Sequence, residues 1–405
     1  MDEFCPVAKK CNSCQLSNLS YEEQLRHKEN RCRRLLGGLC RVEPITPSPK
    51  TAGYRNKAQF VFRRNGRAGL VSGVYQSANR TAVITPSCAL CSDTANQLAA
   101  VLCRLFHSFK IVPYDPHTGK GWLKSVLIRE AAGTGKSMLV INGASPIFPA
   151  KRTVATALQK ACPALTTAVI AENRSEQKLF VGKPTETLFG EGHITDVLCG
   201  KRFLLSPASF YQVNHDQTEQ LYRRAIGLIQ LNGNEVVMDA YCGTGTIGIV
   251  AADAAREVLA VELNPAAIRD AKRSARMNGI QNITFVNADS RDYAKALVEE
   301  GRTVGAAFID PPRAGCTASF LKALARLKPD RIVYISCNPE TQARDILQFG
   351  RLGYRAQVCC PFDMFPHTDH VESVVLLRRK NINSEIFQPK ETTSESVVLL
   401  SRESI

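Results

Sequence analysis

The stretch Val236-Val-Met-Asp-Ala-Tyr-Cys-Gly-Thr-Gly-Thr-Ile-Gly248 is a short apolar run that leads into a glycine-rich turn. The run predicts a buried strand. The turn has the pattern G-x-G-x-x-G, in which glycine lets the backbone pass close beneath a ligand. Glu262 ends the next predicted strand, about where a carboxylate binds ribose in nucleotide-binding folds. The stretch therefore predicts a nucleotide-containing cofactor, and by itself it fits a nicotinamide cofactor as well as S-adenosylmethionine (SAM).

Strand and helix signals alternate around this stretch, from about residue 219 to residue 348. Such alternation is typical of a doubly wound, mostly parallel α/β sheet. Runs near 355–360 and 372–377 are candidates for antiparallel strands that close the sheet. The predicted elements are helices 219–230, 247–255, 265–278, 319–327 and 340–348, and strands 235–240, 258–262, 283–287, 306–310 and 331–336.

The rest of the chain has a different pattern. Short alternating runs between about residues 54 and 197, with one helical stretch at 94–108, predict an α+β domain, and the apolar spacing at 21–36 predicts a helix. The Glu-Ser-Val-Val-Leu-Leu of 372–377 recurs at 395–400 in a polar tail. The predicted division is an N-terminal cysteine segment 1–52, a central α+β domain 53–200, a cofactor-binding domain 201–380 and an accessory tail 381–405.

The composition favours a polyanionic partner. The net charge is +15 and the isoelectric point is near 9.2, which points most simply to nucleic acid, with a merely basic surface as the alternative. The apolar runs fall short of the roughly 20 residues of a membrane-spanning helix, and the N-terminus does not resemble a signal peptide. We therefore expect a cytoplasmic protein that contacts no membrane and needs no obligate protein partner. In a reducing compartment the 15 cysteines are not expected to form a disulfide framework.

A second motif favours SAM over a nicotinamide cofactor. Asp310-Pro-Pro-Arg313 follows a predicted strand, so that it places a carboxylate and a rigid turn over the ligand crevice. Methyltransferases that act on amino groups carry an aromatic residue after a similar Pro-Pro, where it stacks on the flipped base. Arg313 occupies that position here. The motif therefore argues against an exocyclic amine as the methyl acceptor.

Cys337 ends the next predicted strand and is expected to face the same crevice. A thiolate there can add to C6 of uracil, which gives C5 enolate character, and C5 can then accept a methyl group. A base must remove the C5 proton before the thiol leaves. Glu372 opens an apolar run and is the candidate base, because burial would raise its pKa. His367 and His370 have the spacing of metal ligands, but no third ligand is evident.

Six motifs together resemble the RNA uracil-C5 methyltransferases, a family that makes 5-methyluridine in 23S ribosomal RNA or transfer RNA. The resemblance implies a Rossmann-like class I methyltransferase domain and covers the catalytic half of the chain. The motifs are Ser209-Phe-Tyr-Gln-Val-Asn214, Asp239-Ala-Tyr-Cys-Gly243, Glu262, Asp310-Pro-Pro-Arg313, Ser336-Cys-Asn-Pro339 and Phe365-Pro-His-Thr-Asp-His-Val-Glu372.

The resemblance also implies a role for each matching residue. Cys337 would be the nucleophile and Glu372 the general base. Thr246 and Asp289 fall at positions that touch the cofactor in some members. The residues expected to bind SAM are Gln212, Tyr241, Glu262 and Asp310.

Three cysteines near the N-terminus have the spacing C-x5-C-x2-C and predict a metal site: Cys5, Cys11 and Cys14. Cys88 or Cys91 can supply the fourth ligand, and spacing alone does not choose iron over zinc. Radical-SAM enzymes use C-x3-C-x2-C, so that class is disfavoured. The ribosomal-RNA branch of the family has a similar arrangement, and this resemblance implies a structural [4Fe–4S] cluster with Cys88 as the fourth ligand.

The start of the chain bears on the RNA. Many family members carry a β-barrel RNA-binding domain before the cysteines; this chain starts with the cysteines, which resembles a shorter branch that acts on a 23S rRNA hairpin loop. Gly53-Tyr-Arg-Asn-Lys57 resembles a family segment near bound RNA. The uracil must be flipped or already in a loop to reach Cys337.

Three other functions fit the motifs less well. A transfer-RNA uracil-C5 methyltransferase is disfavoured by the cysteine cluster, and a cytosine-C5 methyltransferase by the lack of a second catalytic cysteine in a Pro-Cys pair. A non-catalytic RNA-binding assembly protein would have no use for Cys337 and Glu372.

Overall fold

The computed structural model describes residues 4–66, 69–76, 82–148, 151–174 and 181–380. The predicted accessory tail, 381–405, and the second copy of its repeat lie outside these residues. In the described part of the chain, no helix combines the length and the apolar character that crossing a membrane requires.

The helices precede and follow the strands much as the alternation predicts. In the described ranges they are α1 (Ala8–Cys11), α2 (Tyr21–Leu36), α3 (Asp93–Ser108), α4 (Lys151–Ala161), α5 (His215–Ile229), α6 (Thr246–Ala251), α7 (Pro265–Met277), α8 (Ser290–Glu299), α9 (Ala318–Arg326) and α10 (Pro339–Arg351).

The strands form two large sheets and one hairpin. They are β1 (Arg41–Val42), β2 (Lys57–Arg64), β3 (Leu70–Tyr75), β4 (Ala82–Ile84), β5 (Leu123–Ala131), β6 (Lys136–Gly143), β7 (Thr167–Glu172), β8 (Lys183–Phe189), β9 (Ile194–Leu198), β10 (Lys201–Leu205), β11 (Val236–Ala240), β12 (Glu257–Glu262), β13 (Ile283–Asn287), β14 (Ala306–Ile309), β15 (Arg331–Ser336), β16 (Tyr354–Phe362) and β17 (Glu372–Arg379).

The C-terminal half is built on an eight-stranded sheet in the order β1-β16-β17-β15-β14-β11-β12-β13. The strands from β11 to β15 are parallel to one another, whereas β17 is antiparallel to both β15 and β16. The predicted α/β class with a mostly parallel sheet is confirmed, but of the two strands predicted to be antiparallel only β17 runs against the others, since β16 runs in the same direction as β15. Strand β1, from the N-terminal segment, adds to the outer edge by pairing in parallel with β16.

This sheet is buried on both faces, as parallel sheets usually are. Successive side chains of a strand point to opposite faces. On β15, Val333 and Ile335 belong to the apolar cluster on one face, and Ile332 and Tyr334 belong to the cluster on the other. The strands are therefore continuous apolar runs, which is why the sequence shows them clearly.

Several helices differ from the prediction. Helix α4 was not predicted, since 94–108 is the one helical stretch predicted between residues 54 and 197, and α6 ends at Ala251 rather than at residue 255. Helix α5 begins at His215, earlier than predicted, because the Asn214 side chain caps it by accepting from the Gln217 amide (3.4 Å). Helix α8 was not predicted. Its buried apolar face is small, Ala294 and Leu297, so the helical period is weak.

The residues between 57 and 189 form a seven-stranded sheet in the order β4-β3-β2-β5-β6-β7-β8. Its strand pairs are antiparallel except for β6 with β7. Helices α3 and α4 cover one face with Leu102, Phe106 and Leu158. The hairpin of β9 and β10 joins the other half, where the Leu204 amide donates to Ser274 of α7 (2.9 Å). The domain boundaries at 53 and 201 stay a prediction.

Helix α2 has one buried face, and two of the side chains on it are polar. Ser20 and Glu23 form a capping box at its start, and buried Gln24, Lys28, Cys32 and Leu36 follow at intervals of four, which places them on one face. Lys28 and Asp363 form a fully buried ion pair, 2.5 Å between Nζ and Oδ1. The Lys28 Nζ also donates to the Phe365 carbonyl (3.0 Å). The helix is therefore tied to the segment that connects β16 to β17.

We expect Lys28→Met to lower the free energy of unfolding by about 3–5 kcal/mol, because Asp363 would remain buried without its partner. Urea unfolding measures the change. The double variant Lys28→Met/Asp363→Asn should recover part of it, since the amide carries no charge. Arg33→Met, which breaks an exposed pair with Glu29 on the same helix, is the control and should cost at most ~1 kcal/mol. Equal midpoints for Lys28→Met and the control would contradict this prediction.

Candidate active site

The predicted site residues meet at one edge of the eight-stranded sheet. Tyr241, Asp310 and Cys337 directly follow strands β11, β14 and β15, and Glu262 ends β12. Carboxyl ends of parallel strands share one edge, which is where ligands bind in such sheets. Glu372 reaches the same edge from the opposite direction, because it is the first residue of the antiparallel strand β17.

The register of β15 and β17 places the predicted nucleophile beside the predicted base. Ser336 pairs with Ser373, so the next positions across the two strands are Cys337 and Glu372. Cys337 is half-buried, whereas Glu372 is buried. The two residues are 35 positions apart in the chain, and only the antiparallel pairing makes them neighbours.

The glycine-rich turn has the backbone that the motif predicts. Gly245 has φ +76°, and a Cβ there would lie 2.8 Å from the ring of Phe285. A Cβ on Gly248 would lie 2.6 Å from the Asp239 carboxylate, which instead accepts from the Gly248 amide (2.9 Å). Larger residues at these two positions would push the turn away from the sheet. Tyr241, before the turn, also adopts a left-handed conformation, with φ +63°.

Glu262 is held in place by backbone amides. Its Oε2 accepts from Gly243 (3.1 Å) and its Oε1 accepts from Asn264 (2.8 Å). A carboxylate fixed beside the glycine turn has lone pairs left for the hydroxyl groups of a ribose. These residues therefore fit the nucleoside part of a cofactor such as SAM.

The other predicted cofactor residues surround the same turn. Gln212 lies two residues after Phe210, whose carbonyl accepts from the Thr244 hydroxyl in the turn (3.5 Å). Thr246 pairs with the Tyr222 hydroxyl (3.0 Å), and Asp289 caps α8 by accepting from the Arg291 amide (2.9 Å). Thr246 and Asp289 thus have structural partners of their own. Burial raises the pKa of Asp310 to about 7.

Burial and charge act on the nucleophile and the base together. The pKa of the Cys337 thiol is raised to about 11, chiefly by burial and next by the Glu372 carboxylate, while the Arg313 guanidinium opposes both effects. Burial also raises the pKa of Glu372 well above its usual range, with a contribution from Asp310, and again Arg313 opposes the shift. Arg313 is therefore the cation that favours the charged forms of both residues.

The sequence did not indicate that Arg313 lowers the pKa of both residues; it indicated only that the position after Asp-Pro-Pro is not aromatic. Its carbonyl accepts from Asn338 Nδ2 (3.0 Å) and Thr341 Oγ1 (3.2 Å), so it is tied to the start of α10 just after Cys337. Its Nη2 lies 3.1 Å from His370 Nε2. The available signal was its place after Asp-Pro-Pro, at the end of the strand next to that of Cys337.

The predicted metal ligands lie apart from this site. Cys5, Cys11, Cys14 and Cys88 line one cavity of about 520 Å³, together with Cys91. The pKa of Cys14 is raised to about 12, chiefly by burial and then by the neighbouring Cys88 and Cys11. A hydrogen bond from Cys91 lowers the pKa of Cys88 to about 6. Within the described ranges, no group of three His, Cys, Asp or Glu side chains could hold a single metal ion.

Comparison with known proteins agrees with this geometry. Residues 199–380 match the family described as tRNA (Uracil-5-)-methyltransferase. An uncharacterized RNA methyltransferase of Halalkalibacterium halodurans is 37% identical over 384 residues, which are 93% of this chain and 83% of that protein. One from Bacillus cereus is 36% identical over 384 residues, with the same coverage.

A solved structure extends the similarity to three dimensions. The tRNA (uracil-54, C5)-methyltransferase of Pyrococcus abyssi, in complex with S-adenosyl-L-homocysteine, has a TM-score of 0.76 and 29% sequence identity, and the match covers 90% of this chain and 85% of that one. Both halves of the described structure are therefore included in the similarity. The sequence relatives and this solved structure together show that the chain belongs to the RNA uracil-C5 methyltransferase family.

Proposed function

We propose that the protein transfers a methyl group from SAM to C5 of a specific uridine in 23S ribosomal RNA and so makes 5-methyluridine. The observation that carries this proposal is the pairing of Ser336 with Ser373, which sets Cys337 beside Glu372 at the edge where the glycine turn also lies. A non-catalytic RNA-binding protein would not need a thiol and a buried carboxylate at adjacent positions there.

The reaction begins when the Cys337 thiol gives its proton to solvent water and its sulfur adds to C6 of uracil. The electron pair of the 5,6 double bond moves toward C5 and O4, and C5 then takes the methyl group, which leaves S-adenosylhomocysteine. Glu372 removes the C5 proton, the double bond re-forms and the sulfur of Cys337 leaves as a thiolate. Arg313 favours the thiolate at the first step and the carboxylate at the last.

Four residues are proposed to hold SAM. Glu262 accepts from the ribose hydroxyls, and Asp310 begins the Asp-Pro-Pro turn. Tyr241 precedes the glycine turn, and Gln212 lies two residues after Phe210, whose carbonyl accepts from Thr244 of that turn. The similarity to an enzyme solved with S-adenosyl-L-homocysteine supports this assignment.

The RNA is proposed to lie across the central sheet, residues 53–200, with the target base flipped out toward Cys337. Arg63, Arg64 and Lys120 line a cavity of about 600 Å³ with Tyr114 and His117, a mixture of cations and rings that suits phosphates and unstacked bases. The cysteine segment favours 23S rRNA, whereas the Pyrococcus abyssi enzyme acts on tRNA uracil-54, so tRNA is the alternative substrate. Both RNAs belong to the cytoplasm, which is the proposed location.

The cysteine cavity is proposed to hold a [4Fe–4S] cluster on Cys5, Cys11, Cys14 and Cys88. These four cysteines line one cavity, and among the described residues no three such side chains are grouped closely enough for one metal ion, which suits a cluster that takes one thiolate per iron better than a single zinc ion. The cluster would supply a structural cross-link between the first 14 residues and the central sheet. Cys91 would remain a thiol that donates to Cys88.

We expect Glu372→Gln to trap the enzyme on its RNA. The amide cannot accept the C5 proton, so addition and methylation proceed while release slows by roughly 10²–10⁴-fold. Denaturing electrophoresis should show a protein–RNA adduct that carries label from radioactive SAM, with 23S rRNA from a strain lacking this protein as substrate. Cys337→Ala in the same background should remove the adduct.

Two outcomes would contradict this scheme. Free turnover by Glu372→Gln would mean that another group is the base, and turnover by Cys337→Ala would exclude the covalent mechanism. The same assay with tRNA from the deletion strain tests the substrate, because label on tRNA alone would favour the alternative.

The pH dependence should identify Arg313 as the shared cation. Cys337 and Glu372 both act in their deprotonated forms, and Arg313 lowers the pKa of each. Arg313→Gln should therefore raise both pKa values and move the ascending limb of the kcat/KM profile to higher pH, so that activity at pH 7 falls more than activity at pH 9. Lys322→Gln, which removes an exposed charge from α9, should leave the profile in place. An unshifted profile for Arg313→Gln would contradict the assignment.

Protein purified without oxygen should contain iron and sulfide and absorb broadly near about 400 nm, as thiolate-ligated clusters do. Cys88→Ser should lose the iron and Cys91→Ser should keep it, because only Cys88 is proposed as a ligand. Iron analysis and the absorption spectrum of the two variants measure this. One zinc per chain and no iron would overturn the cluster, and the reverse behaviour of the two variants would make Cys91 the ligand.

A further inference from the structure

One face of helix α2 contacts the segments that carry both proposed catalytic residues. Gln24, Lys28 and Arg31 follow one another at intervals of four and three, so they share a face of the helix. All three contact residues 363–371, the connection between β16 and β17 that ends immediately before Glu372. The sequence predicts this helix but not its contacts with the connection.

Gln24 fixes the middle of the connection at His367. The Gln24 Oε1 accepts from the His367 amide (2.8 Å), and its Nε2 lies 3.2 Å from the His367 Nδ1. His367 has φ +68°, a conformation that residues with a Cβ seldom adopt. The Leu16 amide donates to the His367 carbonyl (3.0 Å), and the Phe4 ring stacks on the imidazole at 3.6 Å. The N-terminal segment therefore holds an otherwise unfavourable turn.

Lys28 fixes the start of the connection. Its contacts with Asp363 and the Phe365 carbonyl immobilise the residues that follow Phe362. Phe362 is paired with Glu372 across β16 and β17, so the two ends of the connection are held at one place in the sheet.

Arg31 links the connection to α10, the helix that begins two residues after Cys337. Its Nη1 donates to the Asp369 carbonyl (3.0 Å), three residues before Glu372. Its Nε and Nη2 form a two-bond contact with the carboxylate of Glu340 (3.0 and 2.9 Å), which lies in the first turn of α10, three residues after Cys337. The Arg31 guanidinium thus links the segment that precedes Glu372 to the helix that follows Cys337.

We propose that α2 is a positioning element for methyl transfer and that Arg31 is the positioning residue that sets Cys337 against Glu372. The inference rests on the function proposed above, because it assigns these two residues to one reaction. Arg31 is partly exposed and Glu340 more so, so the pair adds little to stability. Its planar fork instead fixes geometry, and small displacements of reacting groups have large effects on rate.

Arg31→Met tests the inference, because methionine keeps much of the stem and removes the donors. We expect kcat with 23S rRNA from the deletion strain to fall by about tenfold or more. The dissociation constant for SAM, measured by calorimetry, should change by less than about twofold, since α2 does not border the glycine turn. Arg31→Lys should recover part of kcat, because its ammonium can reach one of the two partners but cannot fork.

Arg33→Met is the matched control. Arg33 lies on the same helix and pairs with Glu29, also on that helix, so its loss touches neither catalytic segment. Arg31→Met and Arg33→Met should have the same Tm, while only the former loses kcat. Equal kcat values for the two variants would overturn the inference. A loss in Arg31→Met that appears in Tm or SAM affinity rather than in kcat would overturn it as well.

Cys337→Ala in the same assay separates the inference from the function on which it rests. If Cys337→Ala turns over, the proposed mechanism fails whatever Arg31 does. If Cys337→Ala is inactive and Arg31→Met matches Arg33→Met, the proposed function stands and only the positioning role fails.

Discussion

The antiparallel contact between β15 and β17 is the constraint on which the site depends. Every other strand around the glycine turn is parallel to its neighbours, and a parallel strand would bring its own carboxyl end to this edge. Strand β17 instead brings its first residue there, which is how a residue late in the chain comes to lie beside Cys337. Buried Gln342 reinforces this pair, since its Nε2 donates to the Tyr334 carbonyl on β15 (3.0 Å) and its Oε1 accepts from Ser373 on β17 (2.7 Å). The thiol, the carboxylate and the helix between them are thus one packed unit.

The same burial that brings the two groups together also opposes their ionisation. A thiol and a carboxylate in a desolvated crevice favour their protonated forms, and each carboxylate nearby strengthens that preference. The Arg313 guanidinium opposes this preference, because it lowers the pKa of both groups. This arrangement suits a reaction in which the thiol must stay unreactive until the uracil is bound.

Much of the sheet could be predicted from the sequence, because its strands are continuous apolar runs that end in glycine, proline or an acidic residue. Residues 283–287 and 331–336 have the predicted bounds. Helix α8 could not be predicted, since a small buried face gives a weak period. The motifs also located the candidate site residues, but not the cation that Arg313 provides or the contacts of α2. Gln24 and Arg31 meet partners 343 and 309 positions away, and no local pattern records contacts over such separations.

Those separations govern the order in which the molecule can be assembled during synthesis. Lys28 and its partner Asp363 are 335 positions apart, and β1 pairs with a strand that leaves the ribosome almost as late. At a synthesis rate of about 5–20 residues per second, helix α2 waits roughly 15–70 s for the segment that it contacts. Throughout that time the lysine of α2 has no carboxylate to bury against and stays in water. Helix α2 and strand β17 therefore close the fold together, and a chain interrupted between the glycine turn and β17 carries that turn without Glu372, the proposed base.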